Sequence, residues 1–174
     1  NLVGLRRQGF GPEAIRALMR DGARVDALLC PGHVAAIAGA EAFRFVPQEL
    51  RLPAAVSGFE AEEMLLGLAA LMGMLQKGKP DLINAYPRAV TPRGNQTALA
   101  LIGRVFAPCE AAWRGLGSIP ASGLALRSGY ANFDAQMRFG IPSLHVPEPE
   151  GCRCADVLRG LLEPPECPQI GRAH

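Results

Sequence analysis

"VDALLCPGHVAAIAG" (Val25–Gly39) is the stretch that decides the fold. Val25–Cys30 is a mostly apolar run that stops at Pro31-Gly32, and the small apolar residues from His33 to Gly39 predict a short helix. Strand, turn and helix in that order make one α/β unit, and the unit recurs. In "PAAVSGFEAEE" (Pro53–Glu63) an apolar run at Ala54–Ser57 ends at Gly58, and Glu60, Glu62 and Glu63 stand where a helix N-terminus favours negative charge. Met64, Leu65, Leu68, Leu71, Met72 and Leu75 mark one face of a long helix closed by Lys77, Gly78 and Pro80. This helix, from about Glu60 to Lys77, is expected to pack through Leu65, Leu68 and Met72. A third unit sets a strand at Asp81–Tyr86 and a helix in "TPRGNQTALALIGRVF" (Thr91–Phe106), capped by Asn95. Consecutive strands joined by helices must lie parallel. The predicted fold class is therefore α/β, a small parallel sheet with flanking helices.

Upstream, "GPEAIRALMRDG" has Pro12 at a first helical position, Ile15, Leu18 and Met19 at helical spacing and Gly22 past the end, which predicts a short amphipathic helix. Downstream of Phe106 the periodicity fades. Residues 1–106 are read as the α/β domain and 107–174 as an irregular region with a Cys-rich metal module at its end. Pro142, Pro147, Pro149, Pro164, Pro165 and Pro168 leave room there only for a short helix around Val157–Leu162.

A chain of 174 residues holds one sizeable core, or a core with a small appendage that needs a further constraint. Its net charge of +2 gives no reason to expect nucleic acid or an acidic surface as partner. No apolar run reaches the length of a membrane span, and Asn1–Gln8 lack the apolar core of a secretory signal, so a cytoplasmic location is expected. Asn1 in place of an initiator Met reads as a fragment.

Three of the five cysteines fall in the last 24 residues: Cys152 and Cys154 flank one residue, Cys167 follows, and His174 closes the sequence. An odd count crowded at one end suits a reducing compartment and metal ligation better than disulfides. Thiolates ligate iron–sulfur clusters, while three Cys and one His also describe a structural zinc site, for which a one-residue gap is uncommon. Three reduced cysteines in a loop are the bland alternative.

His33 and Glu60 each follow the carboxyl end of an expected strand, where open α/β sheets bind ligands, so both would face one cleft. Against that, His33 would merely satisfy a turn carbonyl and Glu60 a helix dipole. Trp113 and Arg114 lie among Gly115, Gly117, Pro120 and Gly123, a turn-rich stretch expected to be neither helix nor strand. Ser122 lacks the Gly-x-Ser-x-Gly elbow of a serine hydrolase, and Cys109 reads as a half-buried thiol.

In order, "CPGHV", "SGFE", "NAYPRAV" with "RGNQTA", "WRGLGSIPASGLALRSGYANFDA" and "GCRCADVLRG" with "PPECP" resemble the hydrogenase formation protein HypD family, from about Val25 to Gly171. The resemblance implies two similar α/β domains and a C-terminal [4Fe-4S] region in a cytoplasmic scaffold, rather than a conventional turnover enzyme. That scaffold works with a small HypC-type chaperone on the Fe(CN)2CO unit of [NiFe]-hydrogenase, the cyanide coming from a HypE-type partner. Cys152, Cys154 and Cys167 match cluster ligands, and His33 and Glu60 fall on motifs lining the cleft. The resemblance makes this chain a C-terminal portion, without the half that holds the iron. The pattern expects a cysteine about where His174 stands and a glycine at Ala155. Two other readings are a binding module with a zinc-stapled tail and a diverged remnant without metal.

Overall fold

The computed structural model describes residues 12–20, 22–113, 115–142 and 150–171. They divide into two compact units: Val25–Ile102, and the described residues of Asn1–Arg24 with those of Gly103–His174. The first element, α1 (Pro12–Arg20), begins at the expected proline and belongs to the second of these units.

The Val25–Ile102 unit contains β1 (Leu28–Pro31), α2 (Gly32–Ala38), β2 (Ala54–Ser57), α3 (Ala61–Lys77), β3 (Leu82–Asn84) and most of α4 (Gln96–Val105). The strands form one sheet in the order β1-β2-β3, both pairings parallel, as the recurring units require. Leu29, Ala55 and Ile83 make one row across the sheet, and Cys30, Val56 and Asn84 the next. β2 has the predicted bounds and is buried throughout. β1 starts later than expected, at the Leu28 N–H that donates to Pro53 O (2.9 Å). β3 is shorter because the Asn84 side chain donates to Val90 O (2.8 Å) and accepts the Tyr86 N–H (3.0 Å), which turns the chain out of the sheet. Asn95 caps α4 as expected, its Oδ1 accepting the Ala98 N–H at 3.0 Å.

Between α2 and β2 the chain forms a 3-10 turn, Ala40–Phe43, and a wider turn, Val46–Leu50, which bury Phe43, Phe45 and Val46. The Thr91–Asn95 loop is bonded to α2 and this segment: Ala40 N–H donates to Thr91 O and Asn95 N–H to Ile37 O. Gly39 and Gly94 touch back to back there with positive φ, and a Cβ on either would land on backbone atoms of the other segment. Only glycine meets both demands.

α3 has the expected length but the wrong face inward. Glu63, Gly67, Leu71 and Met74 are buried, and Leu71 and Met74 pack on Ala55. Leu65, Leu68 and Met72, expected in the core, are 65%, 46% and 56% exposed. Between Glu63 and Lys77 the helix carries no charge, so its periodicity cannot choose a face. Close approach chooses it: a Cβ on Gly67 would stand 2.8 Å from Leu29 Cδ1 and 3.1 Å from Ser57 Cβ, so the small residue sits against the sheet.

In the other unit, the stretch expected to be irregular contains an antiparallel hairpin, β4 (Phe106–Trp113) and β5 (Gly117–Leu126), so Trp113 ends a strand. β4 follows α4 without a loop. The pairing shifts register between Cys109 and Ala111, and Pro120 and Ala121 fall where β5 carries extra residues, which is where a sheet tolerates proline. Ala121 takes φ 56° to make that bulge. Ser122, 1% exposed, closes it: its Oγ donates to Ile119 O (2.8 Å) and accepts the Trp113 indole N–H (2.7 Å). Beyond the hairpin come a 3-10 turn (Ser128–Phe133), α5 (Ala135–Arg138) capped by buried Asp134, α6 (Cys154–Leu158) and a 3-10 turn (Pro164–Glu166). The short helix expected at Val157–Leu162 thus begins at Cys154 and ends by Gly160, whose positive φ stops it. Arg24 N–H donates to Arg159 O at 2.7 Å. Among the described residues no helix is long and apolar enough to cross a membrane.

Candidate functional site

Two groups of side chains stand out, one in each unit. The first lies at the carboxyl end of the parallel sheet. β1 runs directly into α2, which places His33 two residues past the strand, in the first turn of the helix, and β2 leads through Gly58 and Phe59 to Glu60 at the head of α3. Because β1 and β2 are parallel neighbours, both residues emerge at the same end. The His33 ring packs on Phe59, centroids 4.6 Å apart, and His33, Phe59 and Glu60 are all exposed.

Beneath them is Glu63, which the sequence offered only as an acid at a helix N-terminus. Glu63 is buried; its Oε2 accepts the Glu60 N–H (3.3 Å) and its Oε1 the Arg88 Nε (2.6 Å), with Arg88 Nη2 on the same oxygen. Arg88 also lies over the Tyr86 ring at 4.9 Å, and the carboxylate raises its pKa above the ordinary guanidinium value. Ser57 Oγ donates to Glu63 O at 2.8 Å. A Cβ on Gly58 would land on the Glu63 carboxylate, so glycine leaves that side chain its place in the brace. The net effect is a β2–α3 turn braced from three sides, with Glu60 and the His33–Phe59 pair presented to solvent. The signal for this brace was an acid three residues beyond the cap, Glu60-x-x-Glu63. Arg88 gave none, because its partner is distant in sequence.

The second group is Cys152 and Cys154, whose sulfurs approach to 3.1 Å, both half-buried. A turn at Gly151, φ 76°, leads into Cys152, and Arg153, the one residue between the two cysteines, precedes the helix and pairs with Asp156 (2.8 Å). A Cβ on Gly115 would stand 2.9 Å from Ala155 Cβ, so the hairpin turn touches the first turn of α6, beside Cys154. Cys167 does not join the pair. The expectation that three sulfurs gather is not met: among the described residues no group of three or more His, Cys, Asp or Glu could hold a metal ion. Cys167 is 3% exposed and packs as a small apolar residue at the end of its turn, its N–H donating to Pro164 O. His174 lies outside the described residues, as does Arg114. The thiolate chemistry of a cluster thus fits two positions as they stand, and among the described residues no third donor joins them. Cys30 is a different kind of thiol, buried in the sheet, where desolvation pushes its pKa up to about 12.

Residues 1–173 match the family model HypD, described as hydrogenase formation hypA family. The chain belongs to the HypD family. A hydrogenase maturation factor HypD of Rhodobacter capsulatus is 36% identical over 167 residues, 92% of this chain and 44% of that protein. The Azotobacter vinelandii factor of the same name is 36% identical over 149 residues, covering 85% and 39%, and that of Cupriavidus necator 33% over 144, covering 82% and 38%. The chain therefore spans less than half the length of these HypD relatives.

Proposed function

We propose that this chain is a scaffold segment for hydrogenase maturation, built around a Cys-x-Cys metal centre and a cleft at the carboxyl end of its parallel sheet. The observation that carries the reading is the 3.1 Å approach of Cys152 Sγ to Cys154 Sγ in a chain of the HypD family. Two sulfurs held that close are placed to share one metal centre, and a segment anchored by a metal needs less apolar burial to stay ordered. In this reading Cys152, Cys154 and Cys167 are ligands of a [4Fe-4S] cluster with His174 as the fourth, and Cys167 leaves its buried seat when the cluster binds. When bound, the cluster would supply electrons. In the full-length family protein His33 and Glu60 would flank an iron of Fe(CN)2CO type, which is cargo: an imidazole nitrogen and a carboxylate are both acceptors, and the Glu63–Arg88 brace holds the turn that carries Glu60. A small HypC-type chaperone and a HypE-type cyanide donor are the partners, and the cytoplasm the location.

The test is anaerobic reconstitution with ferrous iron and sulfide. Broad visible absorption, with iron and acid-labile sulfide in equal amounts, is expected; Cys154→Ser abolishes it and His174→Ala weakens retention. Zinc alone, no bound metal, or a cluster spectrum unchanged in Cys154→Ser would overturn the reading.

A further inference from the structure

α3 has a second apolar face. Met64, Leu65, Leu68, Met72 and Leu75 are all at least 40% exposed, and they recur at the same helical period as the buried residues, so they form one arc beside the face that packs on the sheet. A helix that is apolar all round belongs in a core. The sheet beneath is also incompletely covered. In the row Leu29, Ala55, Ile83 the central residue is fully buried, yet Leu29 and Ile83 are each 38% exposed. One helix shields the middle strand and leaves both margins open. Packed helices stand about 8–10 Å apart, roughly the distance between the outer strands, so there is room for one more helix against the flank of α3 and a sheet margin.

The size of the face bears on its occupant. Its five side chains expose on the order of 500 Å² of apolar surface, more than scattered surface residues supply, but short of the roughly 800 Å² per partner of a stable interface. Two copies meeting here alone would hold weakly. A helix belonging to a larger body, with further contacts of its own, would not. Family relatives extend well beyond the matched region, which is 44% of the Rhodobacter capsulatus protein and 39% of the Azotobacter vinelandii one.

We propose that the Met64–Leu75 face of α3 is the seat of an amphipathic helix contributed by the part of the HypD architecture that this chain does not span. The inference rests on family membership and not on the metal centre. The test is co-expression of this chain with the unmatched part of the Rhodobacter capsulatus relative, followed by co-purification without added metal. The two are expected to co-purify, with α3 amides exchanging at least tenfold more slowly than in the chain alone. Leu68→Glu and Met72→Glu, both at exposed positions, should abolish co-purification while leaving the melting curve of the chain unchanged. Phe139→Glu, at an exposed apolar position of the other unit, should have no effect on co-purification. No co-purification, equal disruption by Phe139→Glu, or a self-dimer of this chain that Leu68→Glu dissociates would overturn the proposal. Cluster reconstitution reads none of these quantities, so the two ideas fail separately.

Discussion

Gly32→Ala sets two effects of known sign against each other. Gly32 opens α2 with negative φ, so alanine fits its backbone, and helix propensity alone predicts a gain of up to about 1 kcal/mol. The space does not allow it. A Cβ there would stand 2.5 Å from Ser57 O and 2.6 Å from Tyr86 Cδ1, against an ordinary contact of at least 3.4 Å. Neither neighbour can retreat freely: Ser57 is paired with Pro31 in the sheet and bonded to Glu63, and the Tyr86 ring lies under Arg88. The helix must lift by most of an ångström, and overpacking of this kind costs about 1–3 kcal/mol, which exceeds the propensity gain. If Val25–Ile102 melts as its own cooperative unit, each kcal/mol lost lowers Tm by about 4–8 °C. Gly73→Ala is the matched control, because nothing lies within 4 Å of its added Cβ, and it should raise stability by up to about 1 kcal/mol. Thermal and urea unfolding of both variants decide the matter. If Gly32→Ala is as stable as Gly73→Ala, the packing argument is refuted.

Burial of Cys30 makes stability fall at high pH. Its folded pKa of about 12 lies above the ordinary thiol value of 9.0, so its contribution is intact below pH 9 and is lost between pH 9 and 12 as the unfolded chain ionises; urea midpoints of Cys30→Ala should be flatter with pH over that window. Ser122→Ala removes the acceptor of the Trp113 indole and should cost about 1–3 kcal/mol, with a shift in emission from the sole tryptophan; an unchanged spectrum would contradict that hydrogen bond. At Ala121, held at φ 56°, valine should destabilise by more than about 1 kcal/mol and glycine should be neutral or better, as measured by chemical unfolding.

What could be read ahead of the structure was what has a period or a stop signal. β2, α2 and the ends of α3 follow from an apolar run broken by Gly58, from Pro31-Gly32 and from Gly78. The buried face of α3 did not, because Leu65 and Leu71 carry the same signal; the discriminating residue was Gly67, small where the helix must come close. The hairpin was hidden by its own bulge: Pro120 and Ala121 break strict alternation, and Gly115 and Gly117, read as general looseness, mark a single turn. Among the cysteines, spacing told which two sulfurs meet, since one intervening residue bounds their separation. It could not tell that Cys167 turns into the protein, which depends on contacts remote in sequence.

The arrangement of the two units along the chain governs the order in which they can fold. Val25–Ile102 is continuous, so all of its contacts lie within one stretch, and it has left the ribosome complete while residues 103 onward are still being made. The other unit is assembled from both sides of that stretch, and the bond from Arg24 to the Arg159 carbonyl joins residues that become available together only after the whole of that stretch has been made. Closing so long a loop is costly for an open chain. Prior folding of Val25–Ile102 ties its two ends into a compact body and shortens the loop that remains to be closed. The helices and strands of the first unit are thus expected to gain protection early during translation, and α1 only once the Cys-x-Cys segment has emerged.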